Sequence, residues 1–362
     1  MVEPRDMPKH FVILGGGLAG SFIAARLCLA GQRVTLIDDQ HPQSASRAAA
    51  GLFNVITGRF GAKSWQADQL LQEIRDFFAQ PELAGLADEV LHYSPIYRPF
   101  KTEEEYNKWT GRAVDPEFAH LVDFQEEPLL PHQVINPLGG IIIRNCGWVS
   151  VGSLVDGLLL RLELHHHLRR LTGHLSYEAI DLESKTLQLR QEKLSFDHLI
   201  CCEGYQLRLN PWFNFLRIIP NKGEILEIEA PTLKLPFALS KKVYLVPTGR
   251  HRWICGSTYA NQFDDPNPTP EGRAEIEAQL AKAIQVPYTV VRHWTGIRPT
   301  TPNRRPILGT HPERPYLHVL GGFGTKGILL APYTSRLLVE GILHDRWDIP
   351  QEVSLQRFLP QA

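Results

Sequence analysis

Residues 10–39, HFVILGGGLAGSFIAARLCLAGQRVTLIDD, constrain the fold more than any other stretch of the chain. A short apolar run from Phe11 to Leu14 is stopped by glycine, the pattern of a buried parallel strand. Gly15-Gly16-Gly17-Leu18-Ala19-Gly20 fits G-x-G-x-x-G. Residues 18–30 then carry alanine and leucine at helical spacing, ending at Gly31. Gly15 allows the tight turn, Gly17 the approach of a pyrophosphate to the backbone, and Gly20 the close packing of helix on strand. The helix N-terminus offers free N–H groups to phosphate charge. A second apolar run, Val34 to Ile37, leads into Asp38 and Asp39, and Asp38 is placed to accept from ribose hydroxyls. The strand–turn–helix therefore predicts a bound dinucleotide, without separating NAD from FAD. A tight turn lacking a ligand leaves the need for both Gly17 and Gly20 unexplained.

The chain has 362 residues, 43% of them hydrophobic, enough for a large core and about two domains. A formal net charge of -1 gives no bulk-charge reason to expect a nucleic-acid partner. The five cysteines, Cys28, Cys146, Cys201, Cys202 and Cys255, show no C-x-x-C spacing. An odd number in a long chain fits reduced cytoplasmic thiols better than a disulfide framework, and Cys201 and Cys202 read as buried strand residues. The N-terminal MVEPRDMPKH is polar and carries no signal-peptide pattern, and the apolar run after it is too glycine-rich for a bilayer span and is interrupted by Arg26. A cytoplasmic protein without a membrane span is expected.

With the glycine motif at the N-terminus, the chain resembles the flavin-dependent amine oxidoreductases, the group containing D-amino acid oxidase, glycine oxidase and sarcosine oxidase. Four patches carry the resemblance. The first is GGGLAG with VTLID. The second is SRAAAGL, residues 46–52, where the resemblance implies that Ser46, Arg47, Ala49, Ala50, Gly51 and Leu52 lie along the pyrophosphate and flavin ring. Small residues admit a flat ligand, and Ser46 can donate to phosphate; a small-residue helix start packed on the sheet is the competing reading. The third is WTGIRPTTPNRRPILG, residues 294–309, similar to the family's G-[LF]-R-P…P-I-[IL]-G. The fourth is GGFGTKGILLAPYTSRLLVEGIL, residues 321–343, a glycine-rich turn and helix that cap the flavin's pyrimidine edge in the family. There Gly322, Gly324, Thr325, Lys326, Gly327 and Ile328 are implied contacts, with backbone N–H groups aimed at an edge that gains electron density on reduction. Two weaker patches lie between. SYEAIDLE, residues 176–183, resembles the strand that clasps adenine, with Ala179 at the contact position. LICCEGY, residues 199–205, resembles the strand and turn returning to the cofactor. It implies contacts from Cys202 and Gly204, although Cys202 and Glu203 depart from the usual small residues.

The resemblance implies that Arg298 forks onto the substrate carboxylate, a match between two parallel N–H donors and two carboxylate oxygens. A structural arginine paired to a buried acid is the alternative. Tyr244, in KKVYLVPTG, is implied to add a second hydrogen bond to that carboxylate, or else is an aromatic on a half-buried strand. Tyr259 is a weaker candidate. The implied reaction is hydride transfer from the α-carbon to the flavin, with hydrolysis of the resulting imine. No acid–base residue is required, and His293 reads as structural. Some members tether the flavin through a cysteine near G-x-R-P; residues 290–310 contain none, so non-covalent FAD is expected. His165-His166-His167 point about 100° apart on a helix and are not expected to bind metal. Arg59 and Lys63 line the entrance or are surface cations, with neither favoured.

The expected fold class is α/β: a Rossmann-like FAD-binding domain, residues 1–62, 141–220 and 296–362, and a substrate domain, 63–140 and 221–295. The second is expected to be a mostly antiparallel sheet with helices, roofing the flavin. EILEIEA, KVYLVP and RWICGST read as its strands and residues 65–79 as an amphipathic helix. A small amine-bearing carboxylate is the expected substrate, with oxygen or another acceptor taking the electrons. Three other readings stay open: a flavin domain acting on a glycine-like group of modified tRNA, a dehydrogenase passing electrons to a quinone or protein, and a non-catalytic nucleotide-binding module.

Overall fold

The computed structural model describes residues 7–58 and 61–359. Its first sheet begins where the glycine motif predicts. Strand β1, His10–Leu14, and strand β2, Arg33–Asp38, flank helix α1, Leu18–Leu29. Helix α1 is buried on nearly every side, which its run of alanine and leucine with almost no charge allows. It ends at Ala30 and Gly31, whose positive φ lets the Gly31 and Gln32 N–H groups return to the Cys28 and Leu27 carbonyls.

Six strands form this sheet, in the order Leu168–Thr172, β2, β1, His198–Cys201, Arg314–Gly321, Ile307–His311. The first five are parallel and the last is antiparallel. Apart from the exposed edge strand Leu168–Thr172, which carries Arg169 and Arg170, these strands are largely buried and read as apolar runs. Helices Ala67–Phe78, Val151–His165 and Gly327–His344 join α1 in one core cluster. Glu73 ties three of them together: it accepts from Arg26 of α1 and from Arg336 of the C-terminal helix, both at 2.7 Å.

The second sheet has eight strands, in the order Thr289–Thr300, Ile219–Glu229, Arg252–Gly256, Tyr244–Gly249, Ala238–Ser240, Ile96–Pro99, Gly140–Ile143, Val122–Gln125. All pairs are antiparallel except Ala238–Ser240 with Ile96–Pro99. The three runs read as strands in the sequence lie here. Strand Gly140–Ile143, expected from position 141 in the first domain, is hydrogen-bonded into this sheet, and Thr289–Thr300 runs through the boundary expected at 296.

The amphipathic helix expected over 65–79 spans Ala67–Phe78. Residues 176–183 do not form the expected strand. They make a 3-10 turn, Tyr177–Ala179, and a two-residue strand, Ile180–Asp181, of a separate small antiparallel sheet. All five cysteines are free and buried. His165 ends its helix, and no group of three or more potential metal-binding side chains occurs among the described residues. No helix among the described residues is long and apolar enough to cross a membrane.

Candidate active site

The carboxyl ends of the five parallel strands converge on one cavity of about 930 Å³, lined by Leu14, Asp38, Gly173, Cys202 and Gly321. Ligands in open α/β sheets bind at these ends. The opposite wall comes from the eight-stranded sheet through Gly223, Ile225, Tyr244, Ser257 and Arg298. The cavity therefore lies between the two sheets, with one end at the α1 turn and another at the turn before the C-terminal helix.

At the α1 end, Gly15 has φ +98°, and a β-carbon there would press on the Cys202 carbonyl. At Gly20 a β-carbon would overlap the Gly15 carbonyl oxygen, so Gly20 sets the closeness of helix and strand and does not itself line the cavity. A β-carbon at Gly17 would meet only the Ser46 side chain, its nearest atom, Oγ, 3.0 Å away. Gly17 thus leaves open backbone at the cavity wall, and α1 has no side-chain cap there. Ser46 Oγ accepts from Leu18 N–H at 3.0 Å. Asp38 accepts from Gly16 N–H at 2.5 Å and Gln40 N–H at 2.8 Å, so its carboxylate is already fixed by backbone donors. Asp39 accepts from His41 N–H. Leu18, Ala19, Asp39, Arg47, Ala49, Ala50, Gly51 and Leu52 also line the wall, Arg47 with its guanidinium held by Asp156.

Residues 45–48 form the short helix that competed with cofactor contact as a reading, and they line the cavity as well. Trp294 Nε1 donates to the Ala48 carbonyl at 3.1 Å, and Gly296 lies where a β-carbon would overlap Ala48 Cβ. Small residues here let the two sheets approach.

On the adenine side the wall is made by the residues just before the expected position. Gly173 to Glu178 line the cavity and Ala179 does not. The reason is register: Thr172 pairs with Asp38 and the Gly173 N–H donates to the Asp38 carbonyl, so the chain meets the cavity immediately after the strand. Cys202, Glu203 and Gly204 do line it. Glu203, whose role the sequence left open, accepts from Tyr177 Oη at 2.6 Å and Asn210 Nδ2 at 2.9 Å. Burial pushes its carboxyl group up against those two hydrogen bonds.

At the other end, the C-terminal helix starts at Gly327 with no side-chain cap on Lys326. Gly324, Thr325, Lys326, Gly327 and Ile328 line the cavity, whereas Gly322 sits behind the turn against Thr301. Lys326 Nζ donates to Ser64 Oγ at 3.0 Å, and burial, then the charges of Arg305 and Arg304, lower its pKa. Gly324 N–H donates to the Pro299 carbonyl at 2.8 Å, linking this turn to the strand that carries Arg298.

Arg298 is half-buried in the wall. Its Nη1 donates to Asn221 Oδ1 at 2.7 Å and the Thr258 carbonyl at 3.2 Å, its Nη2 to Ser257 Oγ at 2.5 Å. The Tyr259 ring lies 4.6 Å from its Cζ. All these partners are neutral, and among the described residues no carboxylate pairs with Arg298, so the structural alternative lacks its acid. Gly223 and Asn221, which the sequence did not single out, make the room and supply the acceptor. Tyr244 sits beside Arg298, its phenol pushed up by burial and drawn back by the Arg298 charge. His293 faces away and pairs with Glu224 at 2.8 Å, the structural role expected. Lys63 pairs with Asp68 and does not line the cavity; Arg59 lies outside the described residues.

The arrangement fits a flavin dinucleotide. Two helix N-termini without side-chain caps open on one cavity, a glycine presents bare backbone at the first, and a cationic side chain stands at the second. Comparison with known proteins agrees. The family model described as DAO, FAD dependent oxidoreductase, matches residues 10–341. The chain is 28% identical to the bifunctional protein ThiO/ThiG of Nostoc sp., covering 94% of this chain and 54% of that protein, about half its length. It is 24% identical to glycine oxidase of Pseudomonas aeruginosa over 92% of this chain and 94% of the relative. The solved glycine oxidase of Geobacillus kaustophilus superposes with a TM-score of 0.78 at 24% identity, covering 97% of this chain and 98% of that one.

Proposed function

Because this chain belongs to the DAO family of FAD dependent oxidoreductases, we propose that it oxidises the carbon–nitrogen bond of a small amino or imino acid. One observation carries the reading: Arg298, a half-buried cation with only neutral partners, lines the same cavity as both helix N-termini. The glycine oxidase likeness supports the substrate size.

Backbone N–H groups at the start of α1, with Ser46, would hold the pyrophosphate of FAD, and Asp38 the adenosine ribose. Those of Gly327 and Ile328 would meet the ring's pyrimidine edge. Bound FAD would supply the acceptor for the hydride leaving the substrate α-carbon. Arg298 fixes the substrate carboxylate through its planar fork, and Tyr244 adds a donor to the same group. Asn221, Ser257 and the Thr258 carbonyl hold the guanidinium still, so the substrate's orientation costs little further ordering. Water hydrolyses the imine to an oxo acid and the free amine or ammonia.

FAD is held non-covalently in this proposal. Cys202 is the one cysteine among the residues lining the cavity, and burial followed by the Glu203 charge pushes its thiol up, away from the reactive thiolate. Buried, free cysteines support a reducing, cytoplasmic compartment. The six-stranded sheet and its helices are proposed as the cofactor part and the eight-stranded sheet as the substrate part, with Gly140–Ile143 and the whole of Thr289–Thr300 in the second.

Anaerobic mixing of the FAD-loaded protein with glycine, sarcosine, proline and D-amino acids tests the proposal. Bleaching of the flavin absorbance by at least one is expected; a flavin left oxidised by all of them overturns it. Peroxide formation against dye reduction on the active substrate then assigns oxygen or another electron acceptor.

A further inference from the structure

Glu203 stands where the family resemblance expects a small residue, and the turn that carries it meets both walls of the dinucleotide end of the cavity. One wall, residues 38–41, follows β2; the other, residues 173–178, follows the edge strand Leu168–Thr172. The turn at residues 202–205 follows strand His198–Cys201 on the far side of β1. That strand lies three strand spacings from Leu168–Thr172, about 14 Å. Two side-chain hydrogen bonds join the turn to the walls. Tyr177 Oη donates to Glu203 Oε1 at 2.6 Å. Asn210, fully buried and outside the cavity wall, donates to Glu203 Oε2 at 2.9 Å. The Tyr177 ring rests edge-on against Trp212, with 5.6 Å between centroids. On the other wall, His41 Nε2 and Tyr205 Oη lie 3.2 Å apart. Gln43 N–H occupies His41 Nδ1, so the neutral ring carries its proton on Nε2 and donates it to Tyr205. Tyr177, Glu203, Tyr205 and His41 all line the cavity. Burial opposes charge on Glu203, and a small residue at 203 would leave the Tyr177 hydroxyl without this acceptor. The two walls are thus pinned to one turn, and a gap fixed in advance lowers the ordering cost of binding whatever fills it.

We propose that Glu203 and Tyr205 are positioning residues for the AMP half of FAD: through Tyr177 and His41 they hold the two walls at the separation that this half requires. This rests on the cofactor placement above and not on the identity of the substrate. FMN ends at its single phosphate, lacks the AMP half and makes no demand on these walls.

The test is equilibrium binding of FAD, ADP and FMN to the apoproteins of the parent, Tyr177→Phe and Tyr205→Phe. Each variant loses one hydroxyl and keeps its ring. Each should weaken FAD and ADP by about fivefold or more, while FMN affinity and the Tm of the apoprotein stay near the parent's. In a Glu203→Ala background, Tyr177→Phe should add little, because the bond is already gone. Unchanged FAD affinity in either tyrosine variant overturns the inference. So does an equal loss for FMN, or a fall in Tm that accounts for the loss, since either makes the bonds part of the fold alone. Fully additive effects of Glu203→Ala and Tyr177→Phe overturn it too. A parent that binds no FAD overturns the cofactor placement together with it. The expected pattern in a protein whose flavin no amine bleaches supports this inference and removes the amine reading.

Discussion

Gly223 leaves the space that the Arg298 guanidinium occupies: a β-carbon at that position would overlap Nη1, Cζ and Nη2. The two residues lie on neighbouring strands, where Arg298 pairs with Asn221 and Gly223 with Gly296. A long side chain shifts more readily than backbone. Gly223→Ala should therefore displace the fork and leave the fold intact: half-saturating substrate concentration rises about tenfold or more, while FAD content and Tm change little. Steady-state kinetics beside a melting curve check this, and an unchanged KM refutes it.

Removing the guanidinium is a harsher version of the same experiment. Arg298→Ala should weaken carboxylate ligands by about 2–5 kcal/mol, the scale for losing one partner of a desolvated charge pair. Arg298→Lys keeps the charge and loses the fork, so it should recover only part of the affinity. Titration of an unreactive carboxylate, read from the flavin spectrum, measures both. Equal affinity in all three proteins would remove Arg298 from its assigned role.

Glu73 offers a stability test away from the chemistry. It is 7% exposed and accepts from Arg26 and Arg336. Glu73→Gln leaves two cations without their shared carboxylate in the core of the helix layer, and a loss of about 3–5 kcal/mol is expected. Denaturant unfolding gives the number; a loss below about 1 kcal/mol contradicts the view that this carboxylate joins the N-terminal and C-terminal helices.

His198 and His318 share a hydrogen bond of 3.0 Å inside the first sheet, and Thr310 meets the other side of His318 at 2.8 Å. Burial lowers His198 to about 4 and His318 to about 3, each from 6.5. Both native-state values lie below the unfolded value, so below pH 6.5 the unfolded chain binds protons that the native chain refuses. The stabilisation is complete above pH 6.5 and is lost as pH falls toward 4 and then 3. Each such proton contributes a slope of up to about 1.4 kcal/mol per pH unit. The urea midpoint should fall steeply over that window, and His318→Phe should flatten the fall.

Cold acid precipitation tests the cofactor linkage. Yellow colour should pass to the supernatant, because the cavity offers no reactive thiolate. Colour retained in the pellet contradicts non-covalent binding.

The glycine motif was legible because the positive φ of Gly15 and the closeness of Gly20 to the Gly15 carbonyl are demands made within one segment. The two helix N-termini were legible for the same reason, with Gly17 and Gly327 where the motifs placed them. Which of residues 173–179 line the cavity depends on where a strand ends relative to its neighbour, which is a register between distant segments. Gly223 and Asn221 were missed for a related reason: their importance comes from Arg298, 77 residues beyond Asn221.

The bond from Gly324 N–H to the Pro299 carbonyl makes the carboxylate anchor and the start of the C-terminal helix one mechanical unit. A distortion that tilts one drags the other along, so the reacting end keeps its spacing through small changes elsewhere. New substrate preferences in such a scaffold would then arise in segments without that tether.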